Sequence, residues 1–98
     1  MHKSTKATTI PVKVKQAVLE RDGGACILCG KRGDPVAHYI SRAQLGIGQE
    51  ENIVTLCPEC HRAYDGVHRK ALKPRIGAYL KAQYDDWDES KLVYGRNR

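Results

Sequence analysis

Two Cys-x-x-Cys pairs are the feature that most limits how this 98-residue chain can fold. The pairs are Cys26 with Cys29 and Cys57 with Cys60, and 27 residues separate them. Two residues between cysteines let both thiolates reach one ion from a single turn, and tetrahedral zinc takes four such ligands. Because four thiolates leave no open coordination position, the spacing predicts one structural zinc ion.

The cellular compartment decides between zinc and the alternatives for these cysteines, which are two disulfides or a redox-active pair. The opening residues MHKSTKATTIPVK contain no apolar stretch typical of a secretory signal, and no run of about 18 apolar residues predicts a membrane span. We therefore expect a cytoplasmic protein with no membrane partner. Disulfides are rare in the cytoplasm, which disfavours them for these cysteines. A redox role is disfavoured because the two pairs match and neither lies in a thioredoxin-like βαβ pattern.

Composition indicates that the metal stabilises the fold. Hydrophobic residues, counting the cysteines, make up 41% of a chain with no Phe, one Met and one Trp. A core this small contributes little net stability, so zinc binding is expected to supply much of the folding free energy. The gap between the pairs exceeds the roughly 15–20 residues of compact zinc sites, which indicates that the inserted segment serves another purpose.

The net charge of +6 is distributed unevenly along the chain. Residues 1–21 contain five Lys or Arg against one acid, residues 22–66 four against six, and residues 67–98 eight against four. Basic flanks favour a polyanionic partner, and an acidic centre suits a site that holds cations. A basic surface that serves only solubility is the alternative.

Prolines and glycines divide the chain into short elements. Residues 1–9 are basic with little to bury, which predicts a flexible arm. The later elements are expected as a helix from a Thr9 cap to residue 22, strands over 36–40 and 53–56 joined by a loop over 41–51, a helix from Pro58 to residue 65, and a helix that begins at Pro74 and reaches Tyr84.

One domain is expected at this length. The predicted organisation is a basic arm over residues 1–9, a single domain over 10–84 with its core at about 36–66, and a tail over 85–98. Apolar residues in the tail, among them Trp87, favour packing against the domain over a platform for stacking bases.

A second group of metal-binding residue types lies in and after the long gap: His38, Asn52, His61 and Asp65. His61 and Asp65 are four residues apart on the predicted helix, so they share one face. His38 can meet that face if two strands and the helix fold as a ββα unit. Imidazole and carboxylate ligands with open positions suit a catalytic Mg²⁺ or Mn²⁺. Each residue alone has an ordinary structural role, and the joint pattern carries the prediction.

The stretch AHYISRAQLGIGQEENIVTLCPECHRAYDG resembles the core of the HNH endonucleases, specifically their zinc-ribbon members of phage and bacterial type. The resemblance extends upstream through VLERDGGACILCG and covers residues 12–66. It implies a small α+β, metal-stabilised domain in which a ββα-metal (HNH, His-Me finger) motif is built on a four-cysteine zinc knuckle with flanking helices. It also implies hydrolysis of DNA with one divalent cation, a His general base and an Asn that braces the loop between the strands.

The resemblance assigns His61 as a metal ligand, Asn52 as the brace and Asp65 as a further ligand found in some members. Members carry an adjacent Asp-His or His-His pair at the first position, whereas this chain has Ala37, His38 and Tyr39 in sequence. In the register that we favour, the family's pair aligns with His38 and Tyr39, so His38 is a ligand and Tyr39 or a water molecule replaces the base. In the other register the pair aligns with Ala37 and His38, so His38 is the base and Ala37 removes a ligand.

The resemblance also implies binding to the backbone of double-stranded DNA, for which Arg42, Arg62, Lys13 and Lys15 are candidates. A monomer or weak dimer with one site per chain would nick a single strand. Free-standing phage HNH proteins are encoded near packaging genes, which implies terminase or other packaging proteins as partners in a bacterial host cell. A zinc-ribbon DNA-binding module with a degenerate site and a toxin-like ribonuclease are the alternatives.

Overall fold

Helices flank a two-stranded antiparallel sheet in the computed structural model, which describes the backbone of residues 3–95 and the side chains from residue 6 to residue 95. Short 3-10 turns lie at Arg42–Gln44, Glu50–Asn52 and Glu89–Leu92. Among the described residues, no helix combines the length and apolar character needed to cross a membrane. The predicted small α+β fold is confirmed, with elements α1 (Lys3–Thr8), α2 (Val12–Asp22), β1 (Asp34–His38), β2 (Ile53–Leu56), α3 (Pro58–Asp65) and α4 (Arg69–Gln83).

Helix α2 forms where the sequence predicted a helix, because Val14 and Val18 recur at helical spacing and are buried on one face. The predicted Thr9 cap is wrong. Pro11 occupies the N-cap position and no side chain caps this end. The helix ends at Gly23, as expected.

Strands β1 and β2 pair with Ala37 opposite Val54 and His38 opposite Ile53. The register shifts between Asp34 and Ala37, a segment that contains Pro35, whose nitrogen cannot donate to a ladder. Strand β1 spans Asp34–His38, so it begins and ends two residues earlier than the predicted range of 36–40. Strand β2 matches the predicted range.

Every residue of β2 is buried because the strand is covered on both faces. Ile53 packs with Val14 and Val18 of α2 in one cluster. Val54 and Leu56 pack in a second cluster with residues from α3, α4 and the end of β1. The sheet is thus the central layer, and the end of β1 is held between the helices.

Segments near both ends of the described part of the chain pack against the loop over residues 41–51. Residues 1 and 2 of the predicted arm lie outside the described residues, but Lys3–Thr8 forms helix α1, and the Ala7 carbonyl accepts a hydrogen bond from the Gly48 N–H. From the other end, the Ile47 N–H donates to the Leu92 carbonyl and the Tyr94 N–H to the Leu45 carbonyl. The described part of the predicted tail therefore packs on the domain, as the sequence favoured.

Helix α4 begins at Arg69, five residues before the predicted start at Pro74. A proline inside a helix removes one backbone hydrogen bond. Two contacts favour the extra residues: Leu72 packs on the core, and the Arg69 guanidinium donates to the Tyr39 carbonyl at 2.8 Å. Tertiary packing thus overrides the local preference for a helix start at proline.

A buried ion pair ties the end of α2 to the rest of the domain. Arg21 donates to Asp22 at 2.8 Å, and the Asp22 side chain is fully buried. The Asp22 carboxylate also accepts hydrogen bonds from the Tyr79 hydroxyl and the Thr55 N–H. Burial alone would raise the pKa of Asp22, but these donors outweigh it and the pKa is lowered. Asp22 is therefore ionised at neutral pH.

We expect Asp22→Asn to destabilise the zinc-loaded protein by about 3–5 kcal/mol, because it leaves Arg21 without its charged partner. A lowered folded-state pKa means that this contribution is fully present above the unfolded value of about 3.9, so pH 7 is a suitable condition. Urea unfolding at pH 7 measures the loss, with the exposed Asp86→Asn as the matched control. Equal midpoints for the two variants would contradict the expectation.

Candidate functional site

The four cysteines converge on one point between the α2–β1 connection and the start of α3. All four sulfur atoms lie within 4.8 Å of one another, and the Sγ atoms of Cys29 and Cys57 are 3.6 Å apart. Tetrahedral zinc with bonds of about 2.3 Å places its sulfur ligands about 3.8 Å apart. The cluster therefore fits the structural zinc ion that the spacing predicted.

Local backbone geometry presents each pair of thiols to this point. Gly30 adopts φ 82°, and its N–H donates to the Cys26 carbonyl at 2.9 Å, which closes the first turn. A left-handed φ of this kind suits glycine because it has no Cβ. In the second pair, Cys57 is the N-cap of α3, and its sulfur accepts a hydrogen bond from the Cys60 N–H.

The protein also favours negative charge at one of these sulfurs. Burial raises the pKa of the Cys26 thiol, but hydrogen bonds from the backbone of Cys57, Cys29 and Leu28 outweigh it and lower the pKa to about 7. A thiolate is the form that binds zinc. Backbone hydrogen bonds thus favour the zinc-binding form at Cys26, whereas burial and neighbouring sulfur atoms raise the pKa of the Cys60 thiol.

A cleft of about 450 Å³ lies beside β1 and α3 and brings together His38, His61 and Asp65. Lys15 and Arg42 also line this cleft, so two of the four predicted DNA-binding residues stand beside the histidines. Lys13 and Arg62 are exposed and lie outside its lining.

His61 and Asp65 form a pair on the outer face of α3. The His61 Nε2 atom lies 3.2 Å from the Asp65 Oδ2 atom, as expected for residues four apart on a helix. The side chains are 30% and 62% exposed, so a solvated ion can reach both. One imidazole and one carboxylate fit a divalent cation that keeps several water ligands.

His38 lies across the cleft and is held by a backbone group. Its Nε2 atom is 2.8 Å from the Thr8 carbonyl. Burial lowers the pKa of His38, with the charges of Arg42 and His61 in the same direction, against the opposing effects of Thr8 and Asp65. Its imidazole is therefore neutral at pH 7.

His38 does not complete a three-ligand group with His61 and Asp65 in this structure. Within the described residues, the four cysteines are the only set of three or more His, Cys, Asp or Glu side chains whose ligand atoms all lie within 4.8 Å of one another. The ligand atoms of His38, His61 and Asp65 are thus more widely spaced than the four sulfur atoms.

Tyr39 points away from the cleft, contrary to the expectation that it could replace the base. The side chain is buried against Trp87, and its hydroxyl donates to Glu89 Oε1 at 2.6 Å. Burial and this hydrogen bond to a carboxylate raise the pKa of Tyr39 well above its usual value near 10. Tyr39 is the first residue after β1, and its side chain packs in the main core cluster while His38 lines the cleft.

Asn52 is fully buried and joins both ends of the loop over residues 41–51. Its Oδ1 atom accepts from the Ile40 N–H at 2.8 Å, and its Nδ2 atom donates to the Ile40 carbonyl at 3.1 Å and to the Ile47 carbonyl at 2.9 Å. These are the contacts that a loop brace requires.

The sequence did not predict that residues 8–10 contribute to this cleft. Thr9 and Ile10 line it, and Thr8 contacts His38. The one available signal was Gly48, where an added Cβ atom would overlap the Thr9 carbonyl oxygen. A glycine in a loop can mark such a close backbone approach, but the sequence does not say which segment approaches.

The fold and the site together define a small α+β domain that combines a four-cysteine centre with a ββα unit carrying His38, His61 and Asp65. Residues 26–65 match the family model described as HNH endonuclease, which spans both cysteine pairs and the ββα unit. Over residues 26–65 the chain is therefore similar to the HNH endonucleases, which are in general nucleases that act on DNA with a divalent metal ion. A comparison with curated proteins finds no significant match.

Proposed function

We propose that this protein is a divalent-metal-dependent DNA endonuclease that hydrolyses one phosphodiester bond in its cleft. The observation that carries the proposal is the meeting of a neutral His38 with the His61–Asp65 pair across one open cleft lined by Lys15 and Arg42. The family match at residues 26–65 supports the same class of reaction.

In this proposal the residues divide into a cation-binding pair and a base. His61 and Asp65 would hold one divalent cation, which would supply stabilisation of the negative charge that develops on the phosphate. His38 takes a proton from a water molecule, whose oxygen forms a bond to phosphorus while the bond to the leaving sugar oxygen breaks. Solvent returns a proton to that oxygen. His38 thus acts as the base, and Asn52 keeps the loop beside it in place.

Cationic residues on this side of the domain fit the phosphate backbone of double-stranded DNA. The Arg42 guanidinium offers paired donors to a phosphate, and Lys15 adds a point charge beside it. The exposed Lys13 and Arg62 would contact phosphates further along the duplex. Binding of this kind is expected to weaken steeply with salt and to read little sequence.

The organisation of the chain supports finer proposals. One domain with its ββα core at about 36–66 includes the segments that pack on it from both sides of the predicted 10–84 range. Its one site per chain would nick a single strand, whether the protein is a monomer or a weak dimer. From the resemblance to free-standing phage HNH proteins, we also propose that this is a phage-encoded protein that acts in the cytoplasm of a bacterial cell and assists terminase or other packaging proteins.

Relaxation of supercoiled plasmid tests the proposal directly. Zinc-loaded protein with Mg²⁺ or Mn²⁺ is expected to yield open circles, and His38→Ala is expected to lose about 10²–10⁴-fold in rate because the general base is gone. Tyr39→Phe is the matched control because its hydroxyl lies outside the cleft. Equal loss in both variants would contradict the assignment of His38. RNA run in parallel separates a deoxyribonuclease from a toxin-like ribonuclease.

A DNA-binding module is the second candidate, and Ala37 is the observation that favours it. Its buried methyl group stands where the family carries a metal ligand, so only His61 and Asp65 remain to hold the cation. This candidate predicts salt-sensitive DNA binding by the folded wild type without nicking in any divalent ion.

A further inference from the structure

The N-terminal segment, residues 6–10, is attached to the cleft at several points. The Thr8 carbonyl lies 2.8 Å from His38 Nε2, and Arg42 Nε donates to the Thr8 hydroxyl at 3.4 Å. The Ala7 carbonyl accepts from the Gly48 N–H at 2.9 Å, and Thr8 is only 3% exposed. Ile10 packs against the cluster formed by α2 and β2. The segment is therefore a wall of the cleft.

The contact between Thr8 and His38 fixes where the imidazole carries its proton. A carbonyl oxygen can only accept a hydrogen bond, so the Nε2 atom of His38 must be the donor. A neutral imidazole with its hydrogen on Nε2 has its free electron pair on Nδ1. The hydrogen bond made by one ring nitrogen thus determines which nitrogen can take a proton.

We propose that the backbone carbonyl of Thr8 is the positioning group for His38, which it holds as the Nε2–H tautomer with Nδ1 ready to accept a proton. The working site then extends beyond residues 26–65 to the N-terminal segment, and Gly48 is the residue that lets this segment dock. This inference rests on the proposed role of His38 as the base.

Histidine ¹⁵N spectra of the zinc-loaded full-length protein test the inference without any catalysis. His38→Gln assigns the resonances among the four histidines. In the wild type we expect a protonated Nε2 and an unprotonated Nδ1 at pH 7. A His38 ring with its hydrogen on Nδ1 overturns the inference, whether or not the protein cuts DNA.

Two variants remove the contact in different ways. Gly48→Ala adds a Cβ atom that would overlap the Thr9 carbonyl oxygen and must displace the segment, and a chain lacking residues 1–9 has no Thr8 carbonyl. Both are expected to lose the single tautomer of His38, whereas the exposed neighbour Gln49→Ala retains it. Retention of the Nε2–H tautomer in the shortened chain overturns the inference, even if Gly48→Ala fails to fold.

Nicking kinetics provide a second readout. Both variants are expected to lower kcat about 10–100-fold, because a misdirected base loses part of its catalytic contribution, while Gln49→Ala stays within about twofold. KM for plasmid should change less than kcat, since Lys15 and Arg42 remain. Faster nicking in either variant would identify the segment as an inhibitory cover and overturn the inference. Absence of nicking in the wild type refutes the nuclease proposal, and the spectra still decide the role of Thr8.

Discussion

Removal of zinc is expected to unfold the whole domain. The four-cysteine centre joins the turn after α2 to the start of α3, and Cys26 and Cys57 are themselves part of the main core cluster. The core of this chain is small, with no Phe and one Trp, whereas zinc binding by small peptides supplies about 10–16 kcal/mol. Without the metal, the remaining contacts cannot offset the entropy of ordering the chain.

Titration with a zinc-selective chelator, followed by circular dichroism and native mass spectrometry, measures this effect. We expect one zinc ion per folded chain and loss of helix signal in step with zinc release. Cys57→Ser should prevent folding at any zinc concentration, while excess Mg²⁺ should not restore the chelated protein because thiolates select zinc. A metal-free chain that still unfolds cooperatively would contradict the prediction.

Replacement of His61 is expected to slow nicking strongly while the fold survives. His61 supplies the only imidazole beside Asp65 among the residues that the structure describes, and its side chain is 30% exposed, so its loss leaves little of the core unpacked. We expect His61→Ala to lower the nicking rate about 10²–10³-fold, the range seen when one group that stabilises developing charge is removed. Zinc content and the unfolding midpoint should match the wild type.

His68→Ala is the matched control, because His68 is exposed and lies outside the cleft lining. Single-turnover nicking and calorimetric titration with Mn²⁺ separate the two histidines. Only His61→Ala should weaken Mn²⁺ binding. If both variants lose activity equally, or if His61→Ala retains it, the cation is not held where we propose.

Features set by a few neighbouring residues could be predicted from the sequence. The cysteine pairs, the start of α3 at Pro58 and its end before Gly66 depend on local backbone chemistry, and the structure confirms them. The approach of His38 to His61 and Asp65 could be anticipated because strand pairing and helical spacing set it.

Features that depend on distant residues could not be predicted. The environment of Tyr39 comes from Trp87 and Glu89, about fifty residues further along the chain. The early start of α4 reflects contacts of Arg69 with the end of β1, not a local signal. The Thr8 contact with His38 joins a segment with no recognisable motif to the centre of the site.

The attachment of the 41–51 loop to residues 92 and 94 sets an order of events during synthesis on the ribosome. Both cysteine pairs leave the exit tunnel before Leu92 and Tyr94, whose backbones hold Ile47 and Leu45. Zinc can therefore be captured while the loop beside His38 still lacks these partners. We expect a nascent chain to acquire its metal first and its competence to cut DNA only after Leu92 and Tyr94 emerge.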